Sequence, residues 1–220
     1  MAEAIHLPPL VSTFDLPGCQ IEFQKRHDEL KKQYPYYVRK VILSADPSLN
    51  PDNYVVVAIY DICCKLAFIR AGQRDWTYLD EPYMFSDAIF YRSQIYAVGQ
   101  GGKIVLLDVN SSNDPSRPPI AKRLTPFGPI LHPQFPCKAD KAYLVVSSNG
   151  ELLHVRRFLT RKEATDQNVR IMNSFVVYKA LFDDNNGSIV KQDVVESIGD
   201  DALFLGDNHS MSVLASNFPR

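Results

Sequence analysis

The sequence predicts an all-β protein. Three observations carry this: apolar residues recur with a period of two from residue 36 onward, turn residues separate the runs, and helix signals are nearly absent. The first strands fall at 37–43, 54–60, 65–70 and 76–79, and a second group at 87–91, 94–98, 103–109 and 120–124. A third group covers 141–147, 151–158, 174–182 and 189–197, and a fourth begins with 202–205 and 210–215. Asn149-Gly150 and Asn186-Gly187 predict type I′ hairpins, because both residue types accept positive φ. Arg92-Ser93 and Gly101-Gly102 are two further tight connections. The one helical candidate, 21–34, is rich in Glu, Lys and Arg, is ended by Pro35, and reads equally as a charged loop.

Hairpins that follow one another without helices exclude a doubly wound or barrel α/β fold, whose parallel crossovers need helical segments. Groups of four strands recurring about every 35 to 55 residues have the rhythm of a β-propeller, with a sandwich or open barrel as the alternative. The repeat is degenerate, since no WD pair and no double-glycine kelch signature recurs. Residues 36–220 are therefore expected to form an array of three to four antiparallel blades, and residues 1–35 an N-terminal loop or remnant of an early blade. The segments 110–119 and 160–173 break the rhythm and read as solvated connections.

Composition narrows the function classes. A chain of 220 residues with 45% hydrophobic and 22% charged side chains can build a core, and a formal net charge of -1 gives no global attraction for nucleic acid or anionic lipid. The longest apolar runs, such as 54–60, are far too short for a membrane helix, which takes about 20 residues. The N-terminus carries Glu3 and two prolines where a signal peptide would be basic and then apolar, so the expected setting is cytoplasmic or nuclear. Cys19, Cys63, Cys64 and Cys137 show neither zinc spacing nor a disulfide framework. One of Cys63 and Cys64 is expected to face inward as a small hydrophobe. The sequons at Asn110, Asn186 and Asn208 matter only in a secreted chain.

Each candidate motif has a simpler structural reading. Gly99-Gln100-Gly101-Gly102-Lys103 lacks the spacing, the following Ser or Thr and the helix of a phosphate loop, and reads as a hairpin turn. Asp200, Asp201, Asp207, His209 and Ser210 lie between two strands without a nucleophile elbow or ligand spacing, so they are expected to bond local backbone groups. His6, His27, His132 and His154 are scattered, and His154 reads as a strand-face residue. Arg156, Arg157, Arg161 and Lys162 are the densest basic stretch. Alternation puts Arg156 and Arg157 on opposite faces, which favours a solvated edge over an RNA or phosphate site. The 12 Phe and 11 Tyr read as core material, not as a stacking ladder.

The stretches KAYLVVSSNGELLHVRRFL, FVVYKALF and VESIGDDALFLGDNHSMSVLASNFP resemble the plant family known as domain of unknown function 295, the KIB-type β-propellers. Upstream, VRKVILSADPS, YVVVAIY, KLAFIRAGQRDWTYLD and DAIFYRSQIYAVGQGGKIVLLDV are also similar, and 14–34 is the least similar part. The resemblance implies a propeller, coupled in many members to a ubiquitin ligase by an N-terminal F-box that is expected to be missing here. It also implies truncation at both ends or a reduced paralogue, and an array of about three and a half blades with unpaired edges. It supplies no catalytic, cofactor or metal residues. The expected function is a protein-interaction module whose partner the sequence does not identify, with no direct contact to a Skp1-like adaptor and none to nucleic acid or membrane. The rivals are a truncated paralogue without independent function and a propeller-funnel hydrolase or lyase using Asp207 and His209.

Overall fold

The computed structural model describes residues 6–10, 38–61, 64–79, 84–99, 102–107, 121–123, 141–161, 170–183 and 189–218. Three four-stranded antiparallel sheets follow one another in the chain. The first holds β1 (Val38–Leu43), β2 (Val55–Tyr60), β3 (Lys65–Arg70) and β4 (Thr77–Tyr78). The second holds β5 (Phe85–Tyr91), β6 (Gln94–Gly99), β7 (Ile104–Leu107) and β8 (Ala121–Arg123). The third holds β9 (Lys141–Val146), β10 (Leu152–Arg161), β11 (Arg170–Phe182) and β12 (Ile189–Val194), and a hairpin of β13 (Asp201–Phe204) and β14 (Met211–Leu214) ends the described array. In each four-stranded sheet the strands pair in chain order, the meander of a propeller blade. The strand expected at each position is present, and the helical candidate 21–34 lies outside the described residues.

Stacking of the blades explains why their middle strands are continuous apolar runs. Val56, Val57, Ala58 and Ile59 are consecutive and all buried, so both faces of the first blade are covered. Val57, Ile59, Leu66 and Phe68 pack against Phe85, Ile95, Val105 and Leu107 of the second blade. Each such side chain contributes about 1.5–3 kcal/mol on full burial. Cys64 lies in this layer as an inward-facing thiol; Cys63 is outside the described residues. On the far face, Val56, Ala58, Tyr60, Ile69 and Trp76 form a separate cluster that Leu10 covers, and Trp76 Nε1 donates to the Pro8 carbonyl at 2.8 Å. The second blade meets the third through Tyr91, Tyr96, Ile104, Leu144, Leu152 and Ile189, and the third meets the final hairpin through Val145, Val155, Leu203 and Leu205.

The turns depart from expectation in one informative way. At Asn149-Gly150 only the glycine has positive φ, at 77°; Ser147 N–H donates to Glu151 O, and Gly150 N–H to Ser147 O. This is a three-residue connection with one left-handed glycine, a residue longer than the type I′ turn expected. Gly99 to Lys103 closes the same way, with Gly102 at φ 77°, so the apparent phosphate loop is a hairpin. Arg92-Ser93 is a turn with two consecutive positive φ angles, at 48° and 60°, where neither residue is glycine. The Arg92 guanidinium lies over the rings of Tyr91 and Phe182, 5.1 and 5.5 Å from their centroids, which anchors the turn against the third blade. The 160–173 segment was expected to be a loop, yet strands β10 and β11 extend into it to Arg161 and from Arg170. Asn186-Gly187 and the 110–119 segment lie outside the described residues.

Candidate functional site

Charged residues gather where the first strands of the blades begin. Lys40 of β1 and Asp87 of β5 form an ion pair whose side chains are 3% and 2% exposed. Asp87 Oδ1 also accepts from its neighbour Ala88 N–H at 2.7 Å, and Oδ2 accepts from Leu144 N–H on β9 at 2.9 Å. One carboxylate thus ties three blades together. Burial pushes the Asp87 carboxyl up, against the pull of Lys40 and the two amides. A carboxylate this deep needs such partners, since an unpaired buried charge costs several kcal/mol.

Beside this tie lies a second set of cations. Lys141 opens β9 and pairs across the ladder with Arg157 of β10. Its ammonium bonds the Asp207 carboxylate in the loop after β13, and sits 5.4 Å from the Tyr143 ring centroid. Burial, helped by the neighbouring charges of Arg39 and Arg157 and opposed by the pull of Asp87, lowers the Lys141 pKa to about 8. Arg39 and Lys141 also act on Cys64, whose thiol burial nonetheless pushes up. Arg39, Lys141 and Arg157 therefore share one electrostatic environment, and the Asp207 carboxylate facing it is 60% exposed.

The sequence singled out Arg156 and Arg157 as a solvated edge, and the structure corrects this for Arg156. It is 1% exposed, its guanidinium 5.3 Å from the Phe158 ring centroid, in the layer between the second and third blades. Strand alternation does separate the two arginines, but in stacked blades both faces are interior. His154, two residues earlier on the same face, is fully buried; its Nδ1 lies 2.8 Å from Gln192 Oε1 and its Nε2 has no hydrogen-bond partner among the described residues. Burial lowers the His154 pKa to about 4. Gly102 of the second blade lies against this pair, where a Cβ would come within 3.3 Å of His154 Cε1 and 3.5 Å of Arg156 Nε.

The acidic run near the end divides by role. Asp201 accepts from Ser212 Oγ at 2.7 Å and Ser148 N–H at 3.2 Å, and Asp200 Oδ2 accepts from Ser216 N–H at 3.2 Å. Both therefore satisfy backbone donors as expected, whereas Asp207 reaches across to Lys141. His209 is exposed and Ser210 is buried; the carbonyl of His209 lies 2.9 Å from where a Cβ on Gly206 would sit, so that turn requires glycine. His6 is exposed, while His27, His132, Lys162, Cys19 and Cys137 lie outside the described residues. Among the described residues there is no His, Cys, Asp and Glu group suited to a metal ion, and no helix is long and apolar enough to cross a membrane.

The family comparison agrees with this architecture. A relative in Arabidopsis thaliana named "Putative F-box protein At5g55150" is 28% identical over 212 residues, which is 95% of this chain and 52% of that protein. The chain thus spans about half the length of this curated relative. Among solved structures, the β-propeller domain of Cps50 (Swd1) from Myceliophteria thermophila aligns at a TM-score of 0.39 and 12% identity, covering 84% of this chain and 48% of that one. The family profile described as KIB1-4 beta-propeller matches residues 1–220 in full. This chain belongs to the KIB1-4 β-propeller family.

Proposed function

We propose that this chain is a non-catalytic protein-recognition module of the kind that recruits substrates to an F-box ubiquitin ligase, and that it grips an acidic partner segment where the first strands begin. The observation that carries the reading is the Arg39, Lys141 and Arg157 set, held close by the blades and faced by one largely exposed carboxylate, Asp207. The set lies beside the Asp87 tie, and its concentrated positive charge favours an acidic partner segment at this end of the blades. Family membership and the F-box name of the relative support recruitment as the setting, in the cytoplasm or nucleus. We place no contact with a Skp1-like adaptor on these blades, so recruitment and adaptor binding are separate roles in this reading.

A funnel hydrolase built on Asp207 and His209 has weaker support, because the Asp207 carboxylate is bonded to Lys141 and His209 is exposed on the turn. The test is fluorescence polarisation with acidic, neutral and basic peptides of equal length. The acidic peptide is expected to bind best, to weaken steeply between low and physiological salt, and to lose about tenfold in affinity in Arg157→Gln with the melting transition retained. Equal binding of all three peptides overturns the acidic specificity, direct capture of a Skp1-like adaptor overturns the separation of roles, and the lack of any cooperative melt supports a paralogue without independent function.

A further inference from the structure

One strand pair of the third blade outruns its sheet. In the first two blades the second strand ends opposite the start of the first, at Tyr60 against Val38 and at Gly99 against Phe85. In the third, β9 starts at Lys141 opposite Arg157, yet β10 continues to Arg161 and stays paired with β11 back to Arg170. Pairing of β11 with β12 stops at Tyr178, with one further bond from Val195 N–H to Val177 O. Among the described residues, Phe158 to Arg161 and Arg170 to Ser174 therefore form a two-stranded ribbon. At about 3.3 Å per residue it reaches about 13 Å past the blade. A strand pair gains little stability by itself, so blade packing does not account for this length.

Because β10 runs antiparallel to β9, the ribbon leaves the blade at the end where β9 begins, beside Lys141, Arg157 and Arg39. Strand alternation sets which residues share the face of Arg157. The row across the blade is Lys141, Arg157 and Phe175, the next on that face is Leu159 with Met172, and the last is Arg161 with Arg170. The register shift after Phe158 makes Asn173 the extra residue of β11 and keeps the three rows on one face. Phe175 is 43% exposed, whereas Arg156 and Phe158 of the opposite face are buried. Along the ribbon, this face reads cationic, apolar, cationic.

That order favours one class of occupant. A phosphate backbone is matched by positive charge at every step, and the middle row is apolar. An extended polypeptide has the same rise and the same period of two as the ribbon, so its side chains match the rows one for one. We propose that the ribbon extends the acid-binding site. Its occupant is an extended segment of a partner protein with two acidic residues four positions apart and an apolar residue midway. This rests on the reading of Arg39, Lys141 and Arg157 as an acid-binding set, and adds where the partner lies and the spacing it must have.

Fluorescence polarisation at low salt with two labelled peptides of one composition tests it. Both hold two glutamates and a leucine in a glycine and serine frame; one has the glutamates four positions apart with leucine midway, the other has them adjacent. The spaced peptide is expected to bind about fivefold more tightly, the gain of one further exposed charge contact. The double variant Arg161→Gln with Arg170→Gln should abolish that advantage, leave binding of the adjacent peptide unchanged and retain the melting transition. If it loses that transition, the two peptides on the wild-type chain decide alone. Equal binding of the two peptides overturns the proposal, as does a double variant that keeps the advantage. So does a spaced peptide that loses nothing when serine replaces its leucine, or tighter binding of a uridine oligonucleotide of equal charge. If Arg157→Gln weakens both peptides while the double variant changes nothing, the ribbon falls and the acid-binding set stands. If neither peptide binds, both fall.

Discussion

The two layers between consecutive blades differ in kind. Between the first and second, Val57, Ile59, Leu66 and Phe68 meet Phe85, Ile95 and Leu107, and a buried ion pair, Lys40 with Asp87, crosses the layer near the start of the first strands. Between the second and third, a neutral histidine and an arginine lie inside the layer, under Gly102. The first layer is held by non-directional burial and pinned by one ionic tie. The second depends on polar groups that tolerate little change in position. The comparison teaches that one sheet-on-sheet architecture can divide its energetics differently from one joint to the next.

The ionic tie gives the largest expected effect. Lys40→Met leaves Asp87 buried beside two amides without its cation, and should cost about 3–5 kcal/mol in chemical unfolding. The double variant Lys40→Met with Asp87→Leu should recover most of that loss, because no charge is left buried. If the double variant is no better than the single one, the layer depends on the tie to Leu144 N–H more than on charge balance.

The pH dependence of the second layer comes next. A histidine held neutral by burial binds its proton more weakly when folded, so the unfolded chain takes up the proton first. The stability that His154 preserves is complete above about pH 6.5 and is lost as pH falls toward about 4. The loss is on the order of 3 kcal/mol. His154→Leu should flatten that part of the pH–stability curve; an unchanged slope would place the titration in another group.

The smallest effect separates space from backbone strain. Gly102 and Gly150 both have φ 77°, but a Cβ on Gly102 meets the His154 and Arg156 side chains, while a Cβ on Gly150 meets nothing within 4 Å. Gly150→Ala should cost about 1 kcal/mol from conformation alone, and Gly102→Ala about 1–2 kcal/mol. Equal losses in thermal melts would mean that the layer yields to a methyl group.

The strands were legible in the sequence because each hairpin is local: alternation and turn residues lie within a few positions of one another. Sheet-to-sheet relations were not. Lys40 and Asp87 are 47 residues apart, and nothing near either one signals the other. Arg156 shows the same limit from the other side, since alternation identifies opposite faces correctly but does not say that both are interior. The charges in 160–173 suggested a connection, yet the ladder joining Leu159 to Met172 and Arg161 to Arg170 carries strand pairing into it. Of the candidate site, only Asp207 and Arg157 were noticed. Lys141 joins Arg157 across the β9–β10 ladder, and Arg39 joins them only through the stacking of blades.

Trp76 is the only tryptophan in the chain, and its indole bonds the Pro8 carbonyl at the outer face of the first blade. Intrinsic fluorescence excited at the red edge of protein absorption is thus a local probe of that blade and of the segment lying on it. Detachment of residues 6–10 would hydrate the indole and shift its emission to longer wavelength while the remaining sheets stay intact. A fluorescence transition that precedes the loss of the far-UV signal would time the uncapping of one end of the array separately from its collapse.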